Sequence, residues 1–433
     1  MSDCRLDYIK LLQQEVDRNT DRLVDVEKEE KREEASPPCR PLPLPCPIPR
    51  RLVISPSLGG TPVTPHLVKC LRRILFGGTF HIFSYEWRKS SFQFREPNSE
   101  FSYVLETDRG GAQAIQMAVQ ARIIRHLLFT CRSGSEGQTL NSLSEVGQRD
   151  QEKVLAAALS DSLWLAGQEV SATVTLVTED YCITPQLDYK LDNFTERLQL
   201  FTFNEREDVR RFILEHIHCF KEEGSHGVIL FLYSLICSRT VDRLREDLDS
   251  TTSHLLHLSL GDFVCCQALL NLLLTGRGSP HVFNGMRYSQ EDDLPLERRL
   301  QGVLARSDVG YLHWSREQME RGTLPQVGSM LKTPRFPVWL CCINGSFSVL
   351  FSLNRTLLSN WKVEQMFQLY YYHGQSSQKT PARLTVDTHS HHWEVKSTDS
   401  GGDPETRYHP LEMTIRTKWA GATIDWNGTA PLY

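Results

Sequence analysis

The segment Phe101–Phe129 constrains this chain more than any other. Phe101-Ser-Tyr-Val-Leu105 is apolar and aromatic, as a buried strand would be. A glycine pair, Gly110-Gly111, then interrupts the chain, and the turn there can take unusual backbone angles. Beyond it no glycine or proline occurs until after Phe129, and Ala114, Met117, Ala121, Ile124 and Leu128 recur at steps of three and four. That spacing predicts a helix with one apolar stripe. Strand, glycine turn and helix form a common α/β connection. The same layout presents a nucleophile well, because a thiol at the first turn faces the positive end of the helix dipole and ionises more easily. The residue at that first turn is Gln113.

A second feature lies far along the chain. Val338–Ile343 and Ser346–Phe351 are two β-rich runs separated by Asn344-Gly345, a strong two-residue hairpin signal. Taken with Phe101–Phe129, it carries a resemblance. The chain resembles the MINDY family of deubiquitinases, in the branch of the third and fourth members, and within it an inactive carboxyl-terminal hydrolase type. Members of that branch have a Val-Gln-x-x-Gly-Gly-Pro-Cys motif, then an apolar helix ending Leu-Leu-Phe. Gly110-Gly111 and Leu127-Leu128-Phe129 match it. Ala112 stands at the proline position, Gln113 at the nucleophile position, and Thr107 at the oxyanion-side glutamine position. The family's general-base histidine precedes a Phe-Ser-Val-Leu-Phe segment. Here that position is Ser346, before Phe347-Ser-Val-Leu-Phe351. Further family-like stretches are Leu58-Gly-Gly60, Glu86–Phe94, Ser238–Asp249, Ser307–Leu312, Ile415–Trp419 and Ile424–Gly428, so the resemblance covers about residues 51–433.

The resemblance implies an α+β, papain-like-derived cysteine protease fold of the MINDY type, with helices packed on a mostly antiparallel sheet. It implies ubiquitin or lysine-48-linked polyubiquitin as the partner. Cysteine hydrolysis needs a thiolate, a base and oxyanion donors. A carboxamide is no nucleophile, and a serine hydroxyl cannot take a proton near neutral pH as imidazole can. With Gln113, Ser346 and Thr107 all altered, the expectation is an inactive ubiquitin carboxyl-terminal hydrolase, not an enzyme, with ubiquitin binding retained. Two alternatives stand beside it: an active lysine-48-specific hydrolase with relocated catalytic residues, and an interaction scaffold without ubiquitin binding.

Other reactive residues give weaker signals. Cys341 and Cys342 are adjacent on a strand, so they point to opposite faces, one buried and one facing solvent or a helix. Cys131 lies about 27 Å from the start of a continuous helix, too far to replace residue 113. His389, His391 and His392 lack companions of zinc spacing. His216 and His218, two apart in a helical pattern over 205–222, do not share a helix face. No metal and no cofactor is expected, and no phosphate-binding or dinucleotide fingerprint occurs.

Composition narrows the partners. Lysine and arginine total 48 against 53 acids, a net charge of −5, and no basic stripe interleaved with aromatics points to nucleic acid. The longest mostly apolar run, Val228–Cys237, is too short to span a membrane, and no signal sequence opens the chain. Twelve cysteines without framework spacing suit a reducing, cytoplasmic or nucleocytoplasmic setting.

Three regions are expected. Residues 1–35 form a charged helical segment, a short coiled coil by the seam Ile9, Leu12, Val16, Asn19, Leu23 and Val26, or a solitary helix. Residues 36–50 form a Pro-rich linker; that tract and the helix are sites for partners. Residues 51–433 form the deubiquitinase-like domain. Within it helices are predicted over 65–76, 149–165 and 261–274 and strands over 172–177 and 382–387, with 227–237 a buried element of unsettled type.

Overall fold

The computed structural model describes residues 46–130, 141–184, 187–289, 298–389 and 409–429. The coiled-coil seam, most of the proline tract, Cys131, His391 and His392 lie outside the described residues. From Cys46 onward the chain forms one compact unit. Helices of seven residues or more are α1 (Pro65–Phe76), α2 (Gln113–Phe129), α3 (Gln148–Ala166), α4 (Arg206–Glu215), α5 (Gly227–Arg239), α6 (Val241–Asp247), α7 (Gln267–Thr275) and α8 (Pro410–Arg416). The strands are β1 (Thr61–Pro62), β2 (Ala172–Val177), β3 (Leu198–Phe203), β4 (Leu256–Ser259), β5 (Asp262–Cys265), β6 (Met286–Ser289), β7 (Arg298–Gln301), β8 (Gly310–Trp314), β9 (Val338–Ile343), β10 (Ser346–Phe351), β11 (Met366–Tyr372), β12 (Ala382–Asp387) and β13 (Thr423–Asp425).

The fold is α+β. Its main sheet has six strands in the order β13-β12-β11-β10-β9-β8, antiparallel throughout except for the parallel pair β8–β9. Alternation divides its side chains between two cores. Leu340, Val349, Phe351 and Tyr372 join the core that includes α2, α3, α5 and α7. Trp339, Leu350, Leu369 and Leu384 pack on the other side with Leu411 and Ile415 of α8 and with Trp419, whose ring meets Trp339 edge-on at 5.5 Å. Cys341 and Cys342 are therefore both buried, one in each core, because both faces of the sheet are covered. The expected solvent- or helix-facing partner is a helix-side core residue.

Helix α2 departs from its predicted stripe: every residue but Arg125 is buried. A helix enclosed on all sides must satisfy its polar side chains internally. Gln116 Nε2 donates to the carbonyl of Ser91 at 2.9 Å. Gln120 accepts from the amide of Leu105 at 2.5 Å and donates to the carbonyl of Tyr103 at 3.0 Å. These bonds explain why 101–105 is no strand. The segment is turns with one bridge from Leu105 to Phe94, and the Gln120 carboxamide takes the place of a neighbouring strand. Neither Gly110 nor Gly111 has positive φ. Gly111 is required by proximity, since a Cβ there would overlap the carbonyl of Phe263 and crowd the Trp87 indole.

Helix α1 and the hairpin follow the sequence closely. Helix α1 starts where Thr64 Oγ1 accepts from the amide of Leu67 at 3.2 Å, with Pro65 in its first turn, and stops at Gly77, φ 77°. The hairpin turn has Asn344 at φ 48° and Gly345 at φ 82°, the left-handed pair a two-residue turn requires. The unsettled element is helix α5. It lies along β2, and Ser234 and Ser238, one turn apart, accept from the amides of Thr175 at 2.8 Å and Thr173 at 2.9 Å. Four helical residues rise about 6 Å and two strand residues about 6.6 Å, so the helix closes that sheet edge. Over 261–274 the predicted helix is instead strand β5 followed by α7. The pattern over 205–222 breaks at His216 into α4 and a short turn of helix, His218–Lys221.

Two tests follow from this packing. Gln120→Leu should orphan two buried backbone groups and cost about 2–6 kcal/mol in denaturant unfolding, at 1–3 per group; an unchanged midpoint would show the carboxamide is dispensable. Burial holds His226 at about 4, below its ordinary value, with Arg88 adding to the effect. The unfolded chain therefore binds a proton that the folded one does not between pH about 6.5 and about 4, so the buried imidazole removes stability as pH falls through that window, up to about 3 kcal/mol. His226→Asn, compatible with the local φ of 55°, should flatten that part of the stability–pH curve relative to the parent.

Candidate functional site

The amino-terminal end of α2 meets the start of β10. Gln113 is the first residue of α2; its neighbour Ala112 provides no side-chain cap. Gln113 Oε1 accepts from the amide of Phe347 at 3.1 Å, so the carboxamide joins helix to hairpin. Beside this contact is a cleft of about 300 Å³, lined by Arg109, Gln113, Ser346, Ser348, Tyr371 and His373 among others. Ser346, exposed, opens β10 opposite Ile343, and Ser348 follows two residues on. The structure thus brings Gln113 and Ser346 to one cleft. Thr107 is not on its wall. It is buried behind, its amide donating to the carbonyl of Gly374 at 2.8 Å, and a Cβ at Gly374 would overlap its Oγ1.

The cleft is rich in donors that the protein itself does not use. Gln113 Nε2, Ser348 Oγ and, behind them, Thr107 Oγ1 are buried without hydrogen-bond partners. His373 accepts from the amide of Gln375 through Nδ1 at 3.3 Å, which places the proton of its neutral ring on Nε2. Burial holds His373 below the ordinary histidine range, so the ring is neutral near pH 7. Arg109, exposed at the rim, adds a positive charge. Such a set suits a carbonyl or carboxylate group. His373, Ser348 and Arg109 have no signal in the sequence that marks them for this site. The first lies just past the aromatic run Tyr370–Tyr372, and only the pairing of β11 with β10 brings it here.

Thiols near the cleft are shielded. Burial pushes Cys342 up to about 11 and Cys341 further in the same direction. Cys266, just before α7, has its Sγ 3.4 Å from His257 Nδ1, the nearest approach to a cysteine–histidine pair among the described residues. Among the described residues no cluster of His, Cys, Asp and Glu could hold a metal ion, and no helix is long and apolar enough to cross a membrane.

Comparison with known proteins finds relatives over most of the chain. The family described as "Deubiquitinating enzyme MINDY-3/4, conserved domain" matches residues 72–428. The chain is 38% identical over 371 residues to "Probable ubiquitin carboxyl-terminal hydrolase MINDY-4" of Mus musculus, covering 86% of this chain and 47% of that protein. It is 36% identical over 411 residues to the protein of the same name in Homo sapiens, covering 95% and 50%. A more distant relative is "Ubiquitin carboxyl-terminal hydrolase MINDY-3 homolog" of Drosophila melanogaster, 29% identical over 245 residues, covering 56% and 41%. The chain spans about half the length of the curated MINDY-4 relatives it matches. No solved structure matches at a significant level. These findings correct one expectation. Gln113, Ser346 and Thr107 suggest a chain that is no enzyme, but its family is one of deubiquitinating enzymes and its relatives carry hydrolase names. Altered positions at one site do not decide the chemistry of a whole chain, and that is where the expectation went too far.

The bond from Gln113 to the hairpin gives a stability test of the site. Gln113→Leu leaves the Phe347 amide without its acceptor and should cost about 1–3 kcal/mol in unfolding, while Gln113→Glu keeps the acceptor and should cost less. Equal stability of the leucine variant would show that the carboxamide does not join the two elements.

Proposed function

The chain belongs to the MINDY-3/4 family of deubiquitinating enzymes, and we propose from that premise that its cleft receives the carboxyl-terminal tail of ubiquitin, from the single protein or from lysine-48-linked chains. One observation carries this reading: Gln113 and Ser348, whose Nε2 and Oγ are buried and unpaired, line the same cleft as His373 and Arg109. Peptide carbonyls and a terminal carboxylate are what such donors bind. In this reading Gln113 stands at the nucleophile position, Ser346 at the base position and Thr107 on the oxyanion side. A helix whose first turn meets an antiparallel sheet supports a papain-like derivation. The free thiols support a reducing, cytoplasmic or nucleocytoplasmic setting.

Hydrolysis at this cleft must draw its nucleophile from a residue other than Gln113. A second reading places hydrolysis outside the cleft lining, at Cys266, and the favouring observation is the 3.4 Å contact with His257. Against it, burial pushes the Cys266 thiol up to about 11.

A ubiquitin bearing an electrophile at its carboxyl terminus tests the seat. Gln113→Cys should be captured near pH 9, where an ordinary thiol of pKa about 8.5 ionises unaided, and peptide mapping should find the adduct at residue 113. Ubiquitin lacking its terminal residues should not compete. No capture in that folded variant would overturn the cleft assignment, and capture at Cys266 in the parent chain would establish the second reading. Cleavage of lysine-48-linked tetra-ubiquitin should persist in Gln113→Ala and, under the second reading, vanish in Cys266→Ala.

A further inference from the structure

A second cavity lies at the other half of α2, away from the cleft. Gln113 and Arg122 are separated by about 14 Å along the helix at 1.5 Å per residue. The cavity, of about 460 Å³, is lined by Arg122, Arg125, Arg206, Arg277, Arg306 and Arg335. Its acidic lining is Asp161, Glu169 and Asp308, so it holds an excess of three positive charges in a chain whose net charge is −5.

The ion pairs there are unevenly distributed. Arg125 pairs with Asp161 at 3.3 Å and with Asp308 at 2.9 Å. Arg206 pairs with Asp161 at 2.5 Å and Arg335 with Asp308 at 3.5 Å. Asp161 and Asp308 are thereby used up, while Glu169, exposed, pairs with none of the arginines among the described residues. Arg122, Arg277 and Arg306 have no carboxylate partner among the described residues. Arg277 and Arg306 are exposed, where water compensates them. Arg122 is only 5% exposed, and its sole hydrogen bond among the described residues is from Nη2 to the carbonyl of Leu273 at 2.7 Å. Burial lowers its guanidinium from the ordinary arginine value, the direction expected of a charge without sufficient compensation.

A buried charge without a partner is costly, and proteins keep one where something else supplies the counter-charge. We propose that this cavity binds a compact anion carrying two or more phosphoryl groups, with the Arg122 guanidinium at its floor and Arg277 and Arg306 at its mouth. Guanidinium forks match phosphate oxygens pairwise, and three uncompensated arginines suit more than one phosphoryl group. The volume is that of a small-molecule site. A nucleic-acid backbone would instead need a basic stripe. The same chemistry could come from a soluble polyphosphate or from a phosphoinositide headgroup at a membrane.

Calorimetric titration of the full chain with pyrophosphate and with inositol hexakisphosphate, and sedimentation with phosphatidylcholine vesicles containing phosphatidylinositol bisphosphate, test the proposal and separate the sources. The expected result is saturable binding of inositol hexakisphosphate that is tighter than that of pyrophosphate and weakens with salt. Arg122→Met should weaken it about tenfold or more. The double variant Arg277→Ala/Arg306→Ala changes only exposed positions and should weaken it severalfold without altering the melting temperature of the unliganded protein. Arg321→Ala, exposed outside the cavity, should have no effect. Vesicle binding with no response to the soluble ligands would assign the headgroup source. No binding in any arm, or binding unchanged in the double variant, would overturn the proposal.

Discussion

The near-complete burial of helix α2 is the constraint on which the rest of the structure depends. A helix exposed on one side can leave its polar residues to water; this one cannot. Its buried glutamines, its buried arginine Arg122 and its histidine each reach a different part of the molecule. Gln116 holds Ser91, Gln120 holds the turns before the helix, and Arg122 holds the end of α7 through Leu273. His126 bonds Asp161 of α3 at 2.8 Å. Gln113 holds the hairpin. Side chains that look out of place in an apolar helix are thus its attachments to the domain.

The cleft follows from the same constraint. Because α2 is fixed along its length, its first turn is fixed against β10, and the two together shape a site on which neither element could settle alone. What the cleft presents is a set of donors. Gln113 uses one half of its carboxamide to hold the hairpin and leaves the other half buried and unpaired, so the residue proposed for the nucleophile position is also structural. Two chemically distinct sites then lie along one helix: a cleft of mostly neutral donors with one arginine at its rim at the start, and a guanidinium-lined cavity further along.

Much of this is legible in the sequence. The Asn344-Gly345 hairpin, α1 with its Thr64 cap and Gly77 stop, β2 and β12 carry local signals strong enough to give their bounds. The Gly-Gly–helix segment and the Ser346–Phe351 strand point to one site, and the structure joins them through Gln113 and Phe347. Other features depend on distant partners. The strand expected over 101–105 is displaced because Gln120, fifteen residues beyond Leu105, takes its backbone bonds. Gly111 looks like a turn former, but the approach of Phe263 makes it obligatory. His373 and the arginine cavity come from segments far apart in the chain, and no periodicity reports that. The stretch Ser238–Asp249 looks family-like without an evident reason; Arg239 and Asp247 form a buried two-point ion pair there, at 2.8 and 2.7 Å. The non-enzyme expectation fails differently, by letting three positions speak for a family.

The central claim is that the cleft between α2 and the hairpin is where ubiquitin's tail rests. Hydrogen exchange read by mass spectrometry, with and without lysine-48-linked di-ubiquitin, tests it most directly. Exchange is expected to slow in peptides spanning 107–113, 344–349 and 372–377, with the arginine cavity around 274–279 and 304–308 unchanged. Slowed exchange elsewhere with those three segments unaffected would contradict it.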